Sequence, residues 1–229
     1  MKIFAHRGFS HKYPEATRLA YEKAIAVGAH GLECDVRLTK DREIVCFHDR
    51  TLRRIANQKK SVARSSLAQL RQEADAITLE ELLDLAIEAK RDLLIETKHP
   101  VITGSAIEHA VIKLLNRKQS EIASSKIEVT VMSFSYFAVK RLKRKYKKVM
   151  KVIKYSPSLI FRPTKDIAIN LALLKKHPGI LRRIAPGQAY VWTVNNKADF
   201  KWLKKHRISA VITDRPKRAS RILLSSRNG

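Results

Sequence analysis

Three acidic side chains and two histidines have the types and spacing to do chemistry. Glu33 and Asp35 are two apart in the apolar run Leu32–Val36. Side chains along a strand alternate in direction, so these two share a face and Cys34 takes the other. Glu96 and Lys98 share a face by the same rule, in the run Leu93–Lys98. Carboxylates beside apolar or small neighbours (Leu32, Cys34, Ile95, Thr97) need a compensating cation. Lys98 and Arg7 could supply it as a structural ion-pair cluster, and so could a metal. Three oxygen donors without a cysteine donor favour a hard divalent ion, Mg2+ or Ca2+. His6 ends the first apolar run, and His48 follows another with Asp49 beside it to orient the ring. An imidazole pKa near about 6.5 suits both for proton transfer. The other six histidines (His11, His30, His99, His109, His177 and His206) read as structural or exposed.

These groups need a scaffold that brings strand ends together. Short apolar runs alternate with helical patterns, as in βα units around a parallel sheet. The first run, Ile3–His6, precedes a helix expected over Glu15–Val27, with Leu19, Ala20, Ala24 and Val27 on its inner face and Gly28 as its stop. Leu32–Val36 is the second strand. Ile44–Phe47 follows too soon for a parallel crossover, which needs about a dozen residues or more. It is therefore expected as an antiparallel hairpin turned at Lys40-Asp41-Arg42. The polar stretch Asp49–Ala76 extends that excursion. Thr78 and Glu81 form a capping box for a helix running to Lys90. Further strands are expected over Leu93–Lys98, Val129–Ser133, Val149–Ile153, Ile167–Asn170, Ala189–Val194 and Ala210–Thr213, making eight with the hairpin left out. The expected architecture is a (β/α)8 barrel, one domain over residues 1–229 with an insertion over about 37–77. Its active site then lies at the C-terminal strand ends, where Trp192, Asn195 and Thr213-Asp214 also fall. Asp214-Arg215-Pro216 reads as a turn closing the last strand, and Trp192 as a pocket-lining side chain.

The 229 residues include 47 Lys and Arg against 21 Asp and Glu, a formal net charge of +26. Such a field attracts anions: phosphate esters, nucleic acids or acidic lipids. Cys34 and Cys46 make no disulfide framework or metal-binding C-x-x-C, and read as small apolar residues. The N-terminus enters a strand at once, and no apolar run approaches the length of about 18 residues that a membrane span needs. The expectation is a cytoplasmic protein.

The sequence resembles the glycerophosphodiester phosphodiesterase family. The resemblance rests on His6-Arg7-Gly8, Pro14-Glu15, Gly28-Ala29, Glu33-Cys34-Asp35-Val36, Leu38-Thr39-Lys40-Asp41, His48-Asp49, Ile95-Glu96-Thr97-Lys98, Val191-Trp192-Thr193-Val194-Asn195 and Ile212-Thr213-Asp214-Arg215-Pro216, in order along nearly the whole chain. It implies a (β/α)8 barrel with a small insertion after the second strand. It also implies hydrolysis of a small-molecule glycerophosphodiester to glycerol 3-phosphate and an alcohol. By motif match, Glu33, Asp35 and Glu96 are metal ligands and His6 and His48 the acid–base pair. Arg7 and Lys98 bind phosphate, and Trp192 lines the pocket. Ala16 stands where the family often has Asn, Arg42 where it has a turn Gly, and Thr97 where it has an aliphatic residue.

Two other readings use the charge. One is a related phosphodiesterase acting on lysophospholipids, in peripheral contact with anionic membrane. The other is a nucleic-acid binder resting on Lys140-Arg141, Lys143-Arg144-Lys145 and Lys147-Lys148. Val139, Leu142 and Tyr146 fall three to four apart within that run and mark a buried stripe. No nucleic-acid motif accompanies it, so no specific nucleic-acid partner is expected. Nothing in the sequence speaks to oligomeric state.

Overall fold

The computed structural model describes residues 1–101, 104–142, 146–152, 161–186, 188–206 and 208–224. Strand β1 (Lys2–His6) leads through helix α1 (Arg18–Ala26) to β2 (Gly31–Leu38) and the short β3 (Ile44–Cys46). The excursion that follows holds α2 (Arg53–Ala56), a 3-10 turn (Val62–Arg64) and α3 (Leu67–Ala74). Then come α4 (Leu79–Glu88), β4 (Asp92–Thr97), α5 (Ala106–Arg117), α6 (Gln119–Ser125), β5 (Val129–Ser133), α7 (Tyr136–Arg141) and β6 (Lys147–Val152). The chain continues with β7 (Ile167–Asn170), α8 (Leu171–Lys176), β8 (Ala189–Trp192), α9 (Lys197–Lys204), β9 (Ala210–Thr213) and α10 (Pro216–Leu223).

Eight of these strands are parallel and close on themselves: β1 pairs with β2 on one side and β9 on the other. The fold is a (β/α)8 barrel. β3 pairs antiparallel with β2 outside that ring, through Val36–Cys46 and Leu38–Ile44. The five-residue connection, residues 39–43, is too short to cross the sheet, so the chain folds back.

Strand parity divides the core. Phe4, Leu94, Met132, Val149, Ala168, Tyr190, Ala210 and Ile212 fill the barrel interior. The alternate residues, such as Ile3, Ala5, Leu32, Ile95 and Val211, pack outward beneath the helices. Gly31 leaves room for the Phe4 ring, which a Cβ there would meet at 2.5 Å. One step further along the same inward parity lies the mouth, to which β1, β2, β4, β6, β8 and β9 bring His6, Asp35, Glu96, Lys151, Trp192 and Asp214.

Several boundaries differ from the sequence reading. α1 begins at Arg18, three residues late, because Ala16 is left-handed (φ 59°) and Thr17 caps the helix by accepting from the Ala20 N–H. Its buried residues are Ala20, Tyr21 and Ala24, while Leu19 is exposed. α4 ends at Glu88, short of Lys90, and its capping box forms with Thr78 and Glu81 in both directions. The excursion is less polar in effect than its composition. Leu52, Val62, Leu70 and Ala76 build a small core with Val45 and Phe47. α7 stops at Arg141, with Leu142 extended, so Val139, Leu142 and Tyr146 do not share one helix. Lys147 and Lys148 open β6 instead, where Lys147 pairs with Glu128. Ile153, the run Lys143-Arg144-Lys145 and residues 225–229 lie outside the described residues. Both cysteines are free and buried. Among the described residues no helix is long and apolar enough to cross a membrane.

The turn after β1 aims the Arg7 side chain back at the mouth. Arg7 and Gly8 both have positive φ (54° and 82°), and a Cβ on Gly8 would meet the Ala20 backbone at 2.6 Å. Gly28 has a similar φ of 80° but open space around it. Gly28→Ala should therefore cost only the left-handed penalty, about 1–2 kcal/mol. Gly8→Ala should cost that plus an overpacking term of about 1–3 kcal/mol. Urea unfolding of the two variants checks the difference.

Candidate active site

The mouth is built from neighbouring strands. Register sets His6 opposite Glu33 across β1–β2 and Asp35 opposite Glu96 across β2–β4. Glu33, Asp35 and Glu96 are all buried, at 0%, 1% and 0% exposure. Three cations face them. Arg7 donates from Nε to Asp35 Oδ2 at 2.8 Å and from Nη1 to Glu15 at 3.1 Å. Lys98, one residue beyond β4, donates to Asp35 Oδ1 at 3.2 Å and Glu96 Oε1 at 2.8 Å. Lys151 of β6, 4% exposed, donates to Glu96 Oε2.

The acids respond differently to this setting. Burial pushes the Glu33 carboxyl up to about 7, with Asp35 and Glu96 adding repulsion against the pull of His6 and Lys151. Burial acts the same way on Asp35, but Lys98 and Arg7 outweigh it and hold that carboxyl far below its ordinary range. Lys98 and Arg7 are raised in turn, burial opposing and the acids prevailing.

Each imidazole is held by its own carboxylate. His6 Nδ1 lies 2.6 Å from Asp214 Oδ1. Asp214 also accepts from Asn195 Nδ2 at 2.6 Å and Ser10 Oγ at 3.1 Å. His48 follows β3, and its Nδ1 lies 2.6 Å from Asp49 Oδ1. Arg37 fixes the His48 carbonyl with two donors, at 3.0 and 2.7 Å. The Phe47 N–H bonds the Asp35 carbonyl at 2.8 Å and ties the hairpin to β2. Burial lowers the His48 pKa, and Arg7 and Lys98 add to that against Asp35 and Asp49. Burial and those two cations favour the neutral form of the His48 ring. Arg54 bridges Asp49 and Glu15, at 2.7 and 2.6 Å, and joins the excursion to the loop that carries Arg7.

The residue types singled out in the sequence therefore converge, with three differences. Asp214 is the partner of His6 rather than only a turn residue, because barrel closure sets β9 beside β1. Lys151 and Glu15 were missed. A lysine at the inward parity of a strand was the available signal for the first, and Pro14-Glu15 within the matching motifs for the second. Glu96 spends both oxygens on Lys98 and Lys151. The potential ligand atoms within 4.8 Å of one another belong instead to His6, Glu33 and Asp35. Glu33 Oε1 is buried and has no hydrogen-bond partner among the described residues. An orphaned carboxylate oxygen, beside an imidazole and a second carboxylate, fits a divalent cation. Trp192 ends β8, half-buried, with Nε1 donating to the Ala168 carbonyl at 3.1 Å.

A sequence model described as the glycerophosphoryl diester phosphodiesterase family matches residues 6–218. A Mycobacterium tuberculosis protein named as a probable glycerophosphodiester phosphodiesterase is 32% identical, over 94% of this chain and 90% of that one. The glycerophosphodiester phosphodiesterase of Bacillus altitudinis is 29% identical, over 96% and 97%. The solved structure of an Oleispira antarctica phosphodiesterase in complex with the product sn-glycerol-3-phosphate superposes with a TM-score of 0.84 at 21% identity, over 98% and 97% of the two chains. A glycerophosphodiester phosphodiesterase of Thermotoga maritima gives 0.75 at 23% identity, over 94% and 95%. At these identities the structural likeness is one of fold.

Asp214→Asn should lower kcat by about 10- to 1,000-fold with the far-ultraviolet spectrum unchanged, since it removes the carboxylate that holds the His6 ring at the mouth. The Asp214 carboxyl sits at about 2, burial being outweighed by its bonds to His6, Asn195 and Ser10. Its ordinary value is about 3.9. A depressed carboxyl contributes stability that is present above about pH 4 and lost as pH falls toward about 2. Urea midpoints over that window should therefore fall more steeply for the wild type than for Asp214→Asn.

Proposed function

This chain belongs to the glycerophosphoryl diester phosphodiesterase family, and from that membership we propose that it hydrolyses glycerophosphodiesters to glycerol 3-phosphate and an alcohol, using a divalent cation and two histidines. It is a phosphoric diester hydrolase. The observation that carries the proposal is the Glu33 carboxylate, which has an unpartnered buried oxygen among the described residues and offers a ligand atom grouped within 4.8 Å with one each from Asp35 and His6, under a ring of cations suited to a phosphate.

Glu33, Asp35 and Glu96 would hold the cation, Mg2+ or Ca2+, with Glu96 released from one of its lysines. When bound, such an ion supplies Lewis-acid neutralisation of the charge that builds on the phosphate. Arg7 presents a planar donor fork to the non-bridging oxygens and Lys98 a point charge. Both already neutralise Asp35, so they are held in place before substrate arrives. The neutral His48 imidazole is able to take a proton from the attacking hydroxyl. His6, its Nδ1 held by the Asp214 carboxylate, is oriented to give a proton to the departing alkoxide. The barrel's half-buried Trp192 forms a wall of the same pocket.

A second reading, a lysophospholipid diester taken from an anionic membrane surface, has one observation in its favour. Phe134, Tyr136 and Phe137 are exposed immediately after β5, at the mouth, with Phe134 packed on Trp192. Aromatic side chains of this kind suit a membrane interface, and the chain's +26 charge suits acidic lipid. Comparing glycerophosphoglycerol with lysophosphatidylglycerol, each presented with anionic vesicles, separates the two.

His6→Ala and His48→Ala should each reduce turnover of a glycerophosphodiester below about a tenth of wild type, with general acid–base loss of about 100-fold or more and unfolding midpoints retained. Chelation should abolish activity, and added Mg2+ or Ca2+ should restore it. Full turnover after thorough chelation, or in both histidine variants, would reject the assignment.

A further inference from the structure

Lys151 has a place the proposed chemistry does not require. Its ammonium binds Glu96 and also stands over two aromatic rings. It lies 4.3 Å from the Trp192 ring centroid and 5.2 Å from that of Phe134. The two rings meet edge-to-face, centroids 5.5 Å apart at 80°. The Trp192 ring is fixed by its bond to the Ala168 carbonyl. Two aromatic faces set at a right angle form a notch of the kind that receives a trimethylammonium group. Here the protein's own ammonium fills it.

The notch forms the β5–β6–β8 side of the mouth, across from the histidines and acids of β1, β2 and β3. Lys151 joins this side to the acids through Glu96, so we place the alcohol half of a diester bound among those groups against it. The glycerol half is common to all such substrates, so only the alcohol half can be discriminated. A cationic alcohol would meet both an occupied notch and a like charge held in a poorly solvated site, where repulsion is strong. A neutral polyhydroxyl alcohol meets neither and has an N–H donor and ring surfaces to use.

We propose that Lys151 is a specificity-determining residue: by occupying the Phe134–Trp192 notch it turns the enzyme away from diesters of choline or ethanolamine and toward those of neutral polyhydroxyl alcohols. This rests on the glycerophosphodiesterase reading of the same mouth. It is a case of selection by a built-in repulsive element.

The test compares kcat/KM for glycerophosphoglycerol and glycerophosphocholine in the wild type, Lys151→Arg and Lys151→Met, at saturating divalent cation. Losing the Glu96 contact alone would lower both substrates together, so the ratio isolates the notch. The wild type and Lys151→Arg should favour the glycerol diester by about tenfold or more, and Lys151→Met should bring the ratio to within about threefold of unity. Lys151→Gln replaces Lys151→Met if the latter does not fold. A second readout needs no metal or turnover. Trp202 is the second of two tryptophans, so Trp202→Phe leaves Trp192 as the sole tryptophan emitter under tryptophan-selective excitation. In that background tetramethylammonium should leave wild-type fluorescence unchanged and quench Lys151→Met saturably. A ratio unaltered by Lys151→Met, or a wild type that prefers the choline diester, overturns the proposal. Should the wild type cleave neither diester, the functional reading fails, and the fluorescence arm still decides whether Lys151 closes the notch.

Discussion

Three carboxylates buried side by side at the top of a barrel are the constraint on which the rest of this structure depends. Removing an ion from water costs on the order of several kcal/mol even after relaxation. Glu33, Asp35 and Glu96 are each at or below 1% exposure. Arg7, Lys98 and Lys151 answer them through direct pairs with Asp35 and Glu96, and the elements that deliver those cations are arranged around that need. The left-handed Arg7-Gly8 turn brings a guanidinium back over β2. The end of β4 places Lys98 between Asp35 and Glu96. The inward parity of β6 brings Lys151 in from the far side. Among the described residues the compensation is incomplete at Glu33 Oε1, and that atom is the basis for the proposed divalent ion.

The imidazoles are governed by a second set of pairs lying outside the first. Asp214 and Asn195 hold His6 from the β8–β9 side. Asp49, Arg37 and the Arg54–Glu15 bridge hold His48 from the excursion. The excursion can carry a positioned histidine because it has a core of its own around Leu52, Val62 and Leu70. The hairpin is in turn tied to β2 by backbone bonds. A histidine on an unsupported loop would lack that fixed relation to the acids.

Two departures from the family pattern fall on left-handed backbone. Ala16 (φ 59°) stands where Asn is usual, and Arg42 (φ 67°) where Gly is usual. Asn and Gly are the residues that tolerate this region best, so this chain carries local strain at both turns. Thr39 offsets it at Arg42 by bonding both the Glu43 N–H and Asp41. At Ala16 the N–H bonds the Arg7 carbonyl and fastens the loop beside the site.

What could be read from the chain alone was what depends on short-range periodicity. Alternation put Glu33 with Asp35 and Glu96 with Lys98. The shortness of the link after Leu38 forced a hairpin, and Thr78 with Glu81 announced a helix start. Those are interactions between residues a few positions apart, and their geometry follows from the period of the local structure. Helix phase was less secure: Leu19 proved exposed and Tyr21 buried, because a left-handed residue shifted the start of α1. The pairing of His6 with Asp214 spans 208 positions, and that of Glu96 with Lys151 spans 55. Neither leaves a mark in local pattern, since each exists only because a closed ring of strands sets β9 beside β1 and turns β6 toward the same axis as β4. Closure of the barrel therefore decided which carboxylate serves His6, and which lysine stands in the aromatic wall.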